Sequence, residues 1–170
     1  TIAMNNITNN TECAIGLYWS SDYNSVSGNN VTDNGYGILL SYSYNNVLKN
    51  NIMSGNVYNF GSSGSFVHDV DSSNTVDGKP IYYWVNRQNA KVPFDAGYVA
   101  LVDSSNITVE GLELKNNSQG ILLYNTTNST MRDNNITNNK LGIFLDGFYN
   151  TVLGNRISNS RWYGVLLSGS

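Results

Sequence analysis

The chain has 170 residues, of which 12% are charged and 40% are hydrophobic, and its formal net charge is −3. This length suits a single domain, and the few Lys and Arg residues form no basic cluster that would bind a phosphate backbone, which excludes a nucleic-acid partner. Asn, Gly and Ser keep every apolar run far below the roughly 18 residues of a membrane span, so we expect none in this chain.

A glycine followed by three apolar residues recurs along the chain. The first copies are Gly16-Leu17-Tyr18-Trp19 and Gly37-Ile38-Leu39-Leu40, and further copies begin at positions 120, 142 and 164. The intervals between neighbouring copies within each of these two groups are nearly equal. Such a period predicts an all-β right-handed parallel β-helix, a solenoid with about 22 residues per rung and roughly 6–7 rungs, that spans 1–170 as one domain.

An asparagine column supports this register, because an Asn follows four of the glycines by eight residues and two more lie in matching contexts. Successive rungs place like side chains about 4.8 Å apart, and stacked amides can then donate and accept along the axis. We therefore predict a structural ladder of six asparagines: Asn24, Asn45, Asn74, Asn106, Asn128 and Asn150.

The middle of the chain departs from the repeat. The intervals from Asn45 to Asn74 and from Asn74 to Asn106 are both clearly longer than one rung, which indicates enlarged loops around 53–97. Insertions in repeat proteins often gather on one face and carry function. If the protein is an enzyme, the best candidates for acid, base or cation ligand lie here: Asp69, Asp71, Asp77 and Lys79. Turn formation or solvation is the simpler interpretation of these side chains.

An aromatic strand follows in the same region. Its side chains, together with a nearby guanidinium, predict a platform for sugar rings: Tyr82, Tyr83, Trp84 and Arg87. Packing of this segment against the coil is the alternative. His68 and Cys13 are the single His and Cys of the chain, and neither has a neighbouring soft ligand in sequence, so we expect no metal and no cofactor.

In the repeated strand three successive residues are apolar, so one column must point away from the coil interior. This outward column predicts an interface, formed by Tyr18, Leu39, Leu122, Phe144 and Leu166. A returning insertion, another module of the same surface protein or a second copy could cover it. The coil ends show no cap, so we expect either an excerpt of a longer protein or an assembling subunit, and a homo-oligomer in the second case.

The Gly-Ile-Leu-Leu and Asn columns, together with the segment 74–84, resemble the NosD-type parallel β-helix repeat proteins over nearly the whole chain. The resemblance implies an archaeal, methanogen-like cell-surface protein and thus an extracellular location. We expect a structural module that acts in assembly or adhesion, without catalysis. The alternatives are a carbohydrate-binding module and a polysaccharide lyase or hydrolase.

Overall fold

The computed structural model describes residues 1–169, which form short β-strands and no helix. The first coil contains β1 to β11: Ile2–Ala3, Asn6–Thr8, Cys13–Tyr18, Ser25–Ser27, Asn30–Thr32, Tyr36–Ser41, Val47–Lys49, Ile52–Ser54, Tyr58–Ser63, Asp69–Val70 and Thr75–Val76. The second coil contains β12 to β23: Lys79–Val85, Gln88–Lys91, Tyr98–Val102, Ser105–Glu110, Glu113–Lys115, Gln119–Tyr124, Thr130–Arg132, Asn135–Thr137, Leu141–Asp146, Thr151–Leu153, Arg156–Ser158 and Tyr163–Ser168.

Strands one rung apart pair in parallel, which confirms the predicted β-solenoid. A regular rung contributes two short strands and one long strand, as in β4, β5 and β6 or in β18, β19 and β20. Alternate residues of these strands point into the coil, where they are fully buried in the interior rungs. Val26, Val31 and Ile38 fill one rung of the first coil, and Met131, Ile136 and Ile143 fill one rung of the second. The solenoid has about eight turns.

The first rung has a different register from the one that the glycines predict. Ile15 pairs with Ile38, so Gly16 lies opposite Leu39 rather than opposite Gly37. The Tyr18 ring folds over Gly16, where an added Cβ would clash with the ring. Gly16 therefore leaves space for that ring and is not a copy of the repeat glycine. The interval between Gly16 and Gly37 is close to one rung, although the two glycines occupy different positions of the rung.

The enlarged middle is a reversal of the chain rather than a pair of loops on a continuous coil. Val76 and Lys79 pair in antiparallel fashion across Asp77 and Gly78, whose φ angles are 48° and 78°. Two consecutive residues with positive φ form the turn that suits a tight hairpin. The first coil ends at this hairpin, and β12 then begins the second coil by pairing in parallel with β14.

The long sheet of the second coil is shared by both coils. One face, with Val99, Leu101 and Ile121, lines the interior of the second coil. The other face packs against the end of the first coil, where the Phe60 ring meets the edges of Tyr83 and Tyr98 at centroid distances of 6.3 and 5.0 Å. The free edge of β9 also accepts and donates backbone hydrogen bonds with the segment 116–118.

Asparagine ladders exist, and they include three of the six predicted residues: Asn24, Asn74 and Asn150. The buried members are Asn29, Asn34, Asn46, Asn51, Asn56, Asn74, Asn117, Asn134 and Asn139. Asn74 is the last residue of one ladder, and its Oδ1 accepts a hydrogen bond from the side-chain amide of Asn51 at 2.8 Å. The predicted Asn24 and Asn150 are partly buried and each forms one ladder bond.

Asn45, Asn106 and Asn128 instead are exposed and adopt φ angles between 52° and 54°. The physical reason is that a turn needs one residue in the left-handed conformation, which Asn tolerates, directly before the residue that points inward. In these three strings the aligned Asn is therefore the turn residue, and the ladder position follows it, as Asn46 and Ser129 show.

Candidate functional site

The predicted outward column is covered within the chain at its centre. Leu122 is fully buried by the first coil, while Phe144 and Leu166 are only half-buried. Phe66, from the loop after β9, contacts Phe144 with ring centroids 5.9 Å apart. The same loop, β20 and β23 enclose an apolar crevice of about 370 Å³. Leu39 is half-buried on the first coil, whereas Tyr18 is exposed and lies outside its column, because Gly16 is the residue opposite Leu39. The end of the first coil thus buries Leu122 and leaves Phe144 and Leu166 half-exposed.

The last rung of the second coil presents its interior to solvent. Val165 and Leu167 are 42% and 62% exposed, whereas the residues that precede them by one rung, Ile143 and Leu145, are 0% and 5% exposed. Val152 of the same rung is 38% exposed although its partner Met131 is buried. The far edges of β21, β22 and β23 have no strand partner among residues 1–169. We call this surface the open C-terminal end.

The first rung of the first coil forms the second open edge. Its strands β1, β2 and β3 pair on one side only within the described residues. Ile2 and Ile7 are half-buried there, whereas their neighbours in the next rung, Val26 and Val31, are fully buried. We call this surface the open N-terminal end. Sequence patterns indicate uncapped ends, but they do not identify these individual side chains, which look like ordinary core positions of the repeat.

A groove separates the end of the first coil from β12. It has a volume of about 400 Å³, and its walls include His68 and Asp69 on one side and Trp84 and Arg87 on the other. The Arg87 guanidinium lies 5.4 Å from the centre of the Trp84 ring, a cation–π arrangement that holds both side chains together. Asp69 is exposed and adds a carboxylate acceptor. An aromatic ring, a donor and an acceptor therefore line one concave surface.

The four predicted platform residues divide between the two faces of β12, because neighbouring strand residues point in opposite directions. Tyr83 is buried toward the first coil, where its hydroxyl donates to the Phe66 carbonyl at 2.6 Å. Tyr82 packs edge-on to Trp84, with ring centroids 6.1 Å apart, and its hydroxyl donates to Asp95 at 3.0 Å. Burial, followed by this bond, raises the pKa of Tyr82. Trp84 is thus half-buried on the Tyr82 face, where it packs against the core of the second coil, and it also lines the groove beside Arg87.

The four acid–base candidates do not converge on one centre. Asp71 accepts hydrogen bonds from the amide and the hydroxyl of Ser73, which fixes the turn after β10. Asp77 accepts from the Asn116 amide at 2.9 Å and lies in the hairpin turn. Lys79 lines the same small pocket as Asp77, and its Nζ lies 3.7 Å from Glu113. Asp69 lies in the groove, apart from these three.

Exposed aromatic side chains on the turns of the first coil are a feature that the repeat analysis missed. Trp19 and Tyr42 stack with ring centroids 4.8 Å apart and an interplanar angle of 6°. Both residues have positive φ angles, and they are 74% and 51% exposed. The one available signal is the repeated Trp or Tyr directly after the apolar strand.

No helix within residues 1–169 is long and apolar enough to cross a membrane.

Comparisons with known proteins identify one family. The family model described as periplasmic copper-binding protein (NosD) matches residues 1–81 and 71–170, so the two matches together span the whole chain. No curated protein and no solved structure matches this sequence.

The residues of this chain do not fit a copper site. His68 Nδ1 accepts the Asn46 backbone N–H at 3.4 Å, and the ring is buried in a ladder position. Cys13 lies in β3 at the other end of the first coil, and Met53 and Met131 are buried inside the two separate coils. No cluster of three His, Cys, Asp or Glu side chains that could hold a metal ion exists within residues 1–169. Within residues 1–169, His68, Cys13, Met53 and Met131 therefore lie too far apart in the fold to form the soft ligand set that copper prefers.

Proposed function

Because the chain belongs to the NosD family, we propose that it is a structural module of an extracellular or periplasmic protein and that it assembles through the apolar outer face of its long strands. The observation that carries this proposal is the apolar crevice of about 370 Å³ beside Phe144 and Leu166, which the first coil leaves half-exposed. Exposed apolar surface of this kind is typical of a protein–protein interface.

The proposed assembly depends on the apolar surface of this crevice. Replacing Leu166 by Lys places a charge where a partner would bury an apolar side chain, so self-association should weaken at least tenfold. Sedimentation velocity over a range of protein concentrations measures this change. Phe94→Lys is the matched control, because Phe94 is 89% exposed and lies in the turn after β13, outside the crevice. Equal association of the wild type and the Leu166→Lys variant would contradict the proposal.

A second candidate function is carbohydrate binding in the groove between the coils. The observation that favours it is the pairing of Trp84 with Arg87 opposite Asp69 in one concave surface. The apolar face of a sugar ring packs well on an aromatic ring, and its hydroxyls can accept from a guanidinium and donate to a carboxylate. The groove shows no converging acid and base within the described residues, which favours binding over hydrolysis.

Trp84 is a half-buried aromatic residue at the wall of this groove, so Trp84→Ala should weaken binding of neutral polysaccharides at least tenfold. Affinity electrophoresis or a glycan array measures the loss against the wild type. Trp19→Ala is the matched control, since it also removes an exposed tryptophan but lies on the turns of the first coil. Wild-type protein that binds none of the glycans would remove this second function.

A further inference from the structure

The chain contains eight Asn-x-Ser/Thr sequons, the acceptor sequence for N-linked glycosylation of exported proteins. In that transfer the bond between C1 of an oligosaccharide and a lipid pyrophosphate breaks, and C1 bonds to the Asn Nδ2 atom, which loses one proton. An acceptor in a folded chain therefore needs an exposed Asn whose Nδ2 atom is free to react. The eight asparagines are Asn6, Asn9, Asn30, Asn106, Asn116, Asn125, Asn128 and Asn135.

Hydrogen bonds hold the Nδ2 atoms of four of these asparagines. Asn125 donates to the Asp103 carboxylate at 2.6 Å, and Asn106 donates to Asn89 Oδ1 at 2.8 Å. The other two bonds run from Asn116 to Asp77 and from Asn30 to Asn6. Each of these amides must break a hydrogen bond before it can react, which disfavours glycosylation at these four positions.

Three further sequons are less suited to an acceptor than Asn128. Asn135 is half-buried within β19, which pairs with a strand on either side. Asn6 and Asn9 belong to the first rung, which has a neighbouring rung on one side only within the described residues. Asn128 lies in an interior rung, so its surroundings on both sides are described.

Asn128 has the geometry that an acceptor needs. It is exposed, and its Nδ2 atom donates no hydrogen bond to any residue within 1–169. Its φ angle of 52° places it in the left-handed turn before β18. Ser129 points inward and is buried, so Asn128 and Thr130 lie on the same outer side of the chain. The two side chains that define the sequon are therefore accessible together.

An aromatic ring lies in the same column one rung after Asn128. The Asn128 backbone N–H donates to the Phe148 carbonyl, and the next residue, Tyr149, also has a positive φ angle, of 59°. Neighbouring rungs are about 4.8 Å apart, and the Tyr149 side chain is exposed. The apolar face of a first sugar on Asn128 can therefore pack against the Tyr149 ring.

We propose that Asn128 is an N-glycosylation site that receives an oligosaccharide from a lipid-linked donor after the chain has folded. This inference goes beyond the two proposed functions, and Asn128 lines neither the crevice nor the groove. Asn106 is the matched comparison, because it occupies the same column one rung earlier and is exposed, but its Nδ2 atom is bonded to Asn89. Glycan occupancy should be about fivefold higher at Asn128, the factor that corresponds to one hydrogen bond of about 1 kcal/mol.

Glycosylation of the purified, folded chain in vitro tests this proposal. The chain is incubated with a single-subunit oligosaccharyltransferase and its lipid-linked oligosaccharide, and peptide mass spectrometry measures the occupancy of each sequon. The expected result is a glycan at Asn128 that is absent from the Asn128→Gln variant, with lower occupancy at Asn106. Asn89→Ala frees the Asn106 amide and should raise the occupancy of Asn106 toward that of Asn128. A synthetic peptide of residues 124–134 serves as the positive control for the enzyme.

An unmodified Asn128 in the folded chain, with the control peptide glycosylated, would overturn the proposal. Equal occupancy of all eight sequons would also overturn it, because the fold would then not select the acceptor. Unchanged occupancy of Asn106 in the Asn89→Ala variant would contradict the role of the free amide. None of these outcomes bears on self-association or on sugar binding in the groove, which are measured separately.

Discussion

Replacing Leu122 by Ala should lower the free energy of unfolding by about 2–5 kcal/mol, the usual cost of deleting buried methyl groups in a packed core. Leu122 is fully buried between the shared sheet and the end of the first coil. The loss should be measured by urea unfolding followed by circular dichroism. Association of the folded variant should stay unchanged, since the contact that it weakens lies within one chain.

Leu166→Ala is the matched control for this experiment. Leu166 belongs to the same outward column two rungs later, but it is half-buried at the wall of the crevice, so less apolar area is lost. The expected loss in the free energy of unfolding is below half of that for Leu122→Ala. An equal effect of both substitutions, or a loss of association with Leu122→Ala, would show that an external partner and not the first coil covers this column.

The contrast between these two leucines shows what the sequence could and could not predict. Repeated strands with a glycine followed by three apolar residues indicate the solenoid and an outward apolar column, because successive side chains of a strand point to opposite faces. The cover of Leu122 depends on where the first coil ends, a long-range contact without any local signature. Phe60 and Phe66, which provide the cover, have sequence neighbours like those of any other rung.

The reversal at Asp77-Gly78 has a local signal that the repeat conceals. An Asp-Gly pair between two apolar strands is a strong hairpin pattern, and both residues adopt positive φ. The long intervals between Asn45, Asn74 and Asn106 also fit a continuous coil with enlarged loops, so the repeat spacing favours insertions over a hairpin. Trp84 and Arg87 could be paired from their closeness in sequence, whereas Asp69 joins them only because the hairpin brings β10 against β12.

Lowering the pH from about 6.5 to 4 should destabilise the protein through His68. Burial lowers the pKa of His68 from its ordinary value of 6.5 to about 4. Between these two pH values the unfolded chain binds a proton at His68 and the folded chain does not, so protonation favours unfolding. The shift corresponds to a loss of about 3 kcal/mol, which develops progressively as the pH falls toward the folded pKa. Urea unfolding at successive pH values measures this dependence.

His68→Asn separates the contribution of this histidine from that of the other titratable groups. His68 occupies the ladder position after Asn24 and Asn46, and its Nδ1 accepts the Asn46 N–H as Asn46 Oδ1 accepts that of Asn24. An asparagine at position 68 would present Oδ1 at the same point and would not titrate. The variant should therefore fold. Between pH 6.5 and 4 its free energy of unfolding should fall only by the amount that the carboxylates contribute. A pH dependence identical to that of the wild type would show that His68 is solvated and forms no part of the ladder.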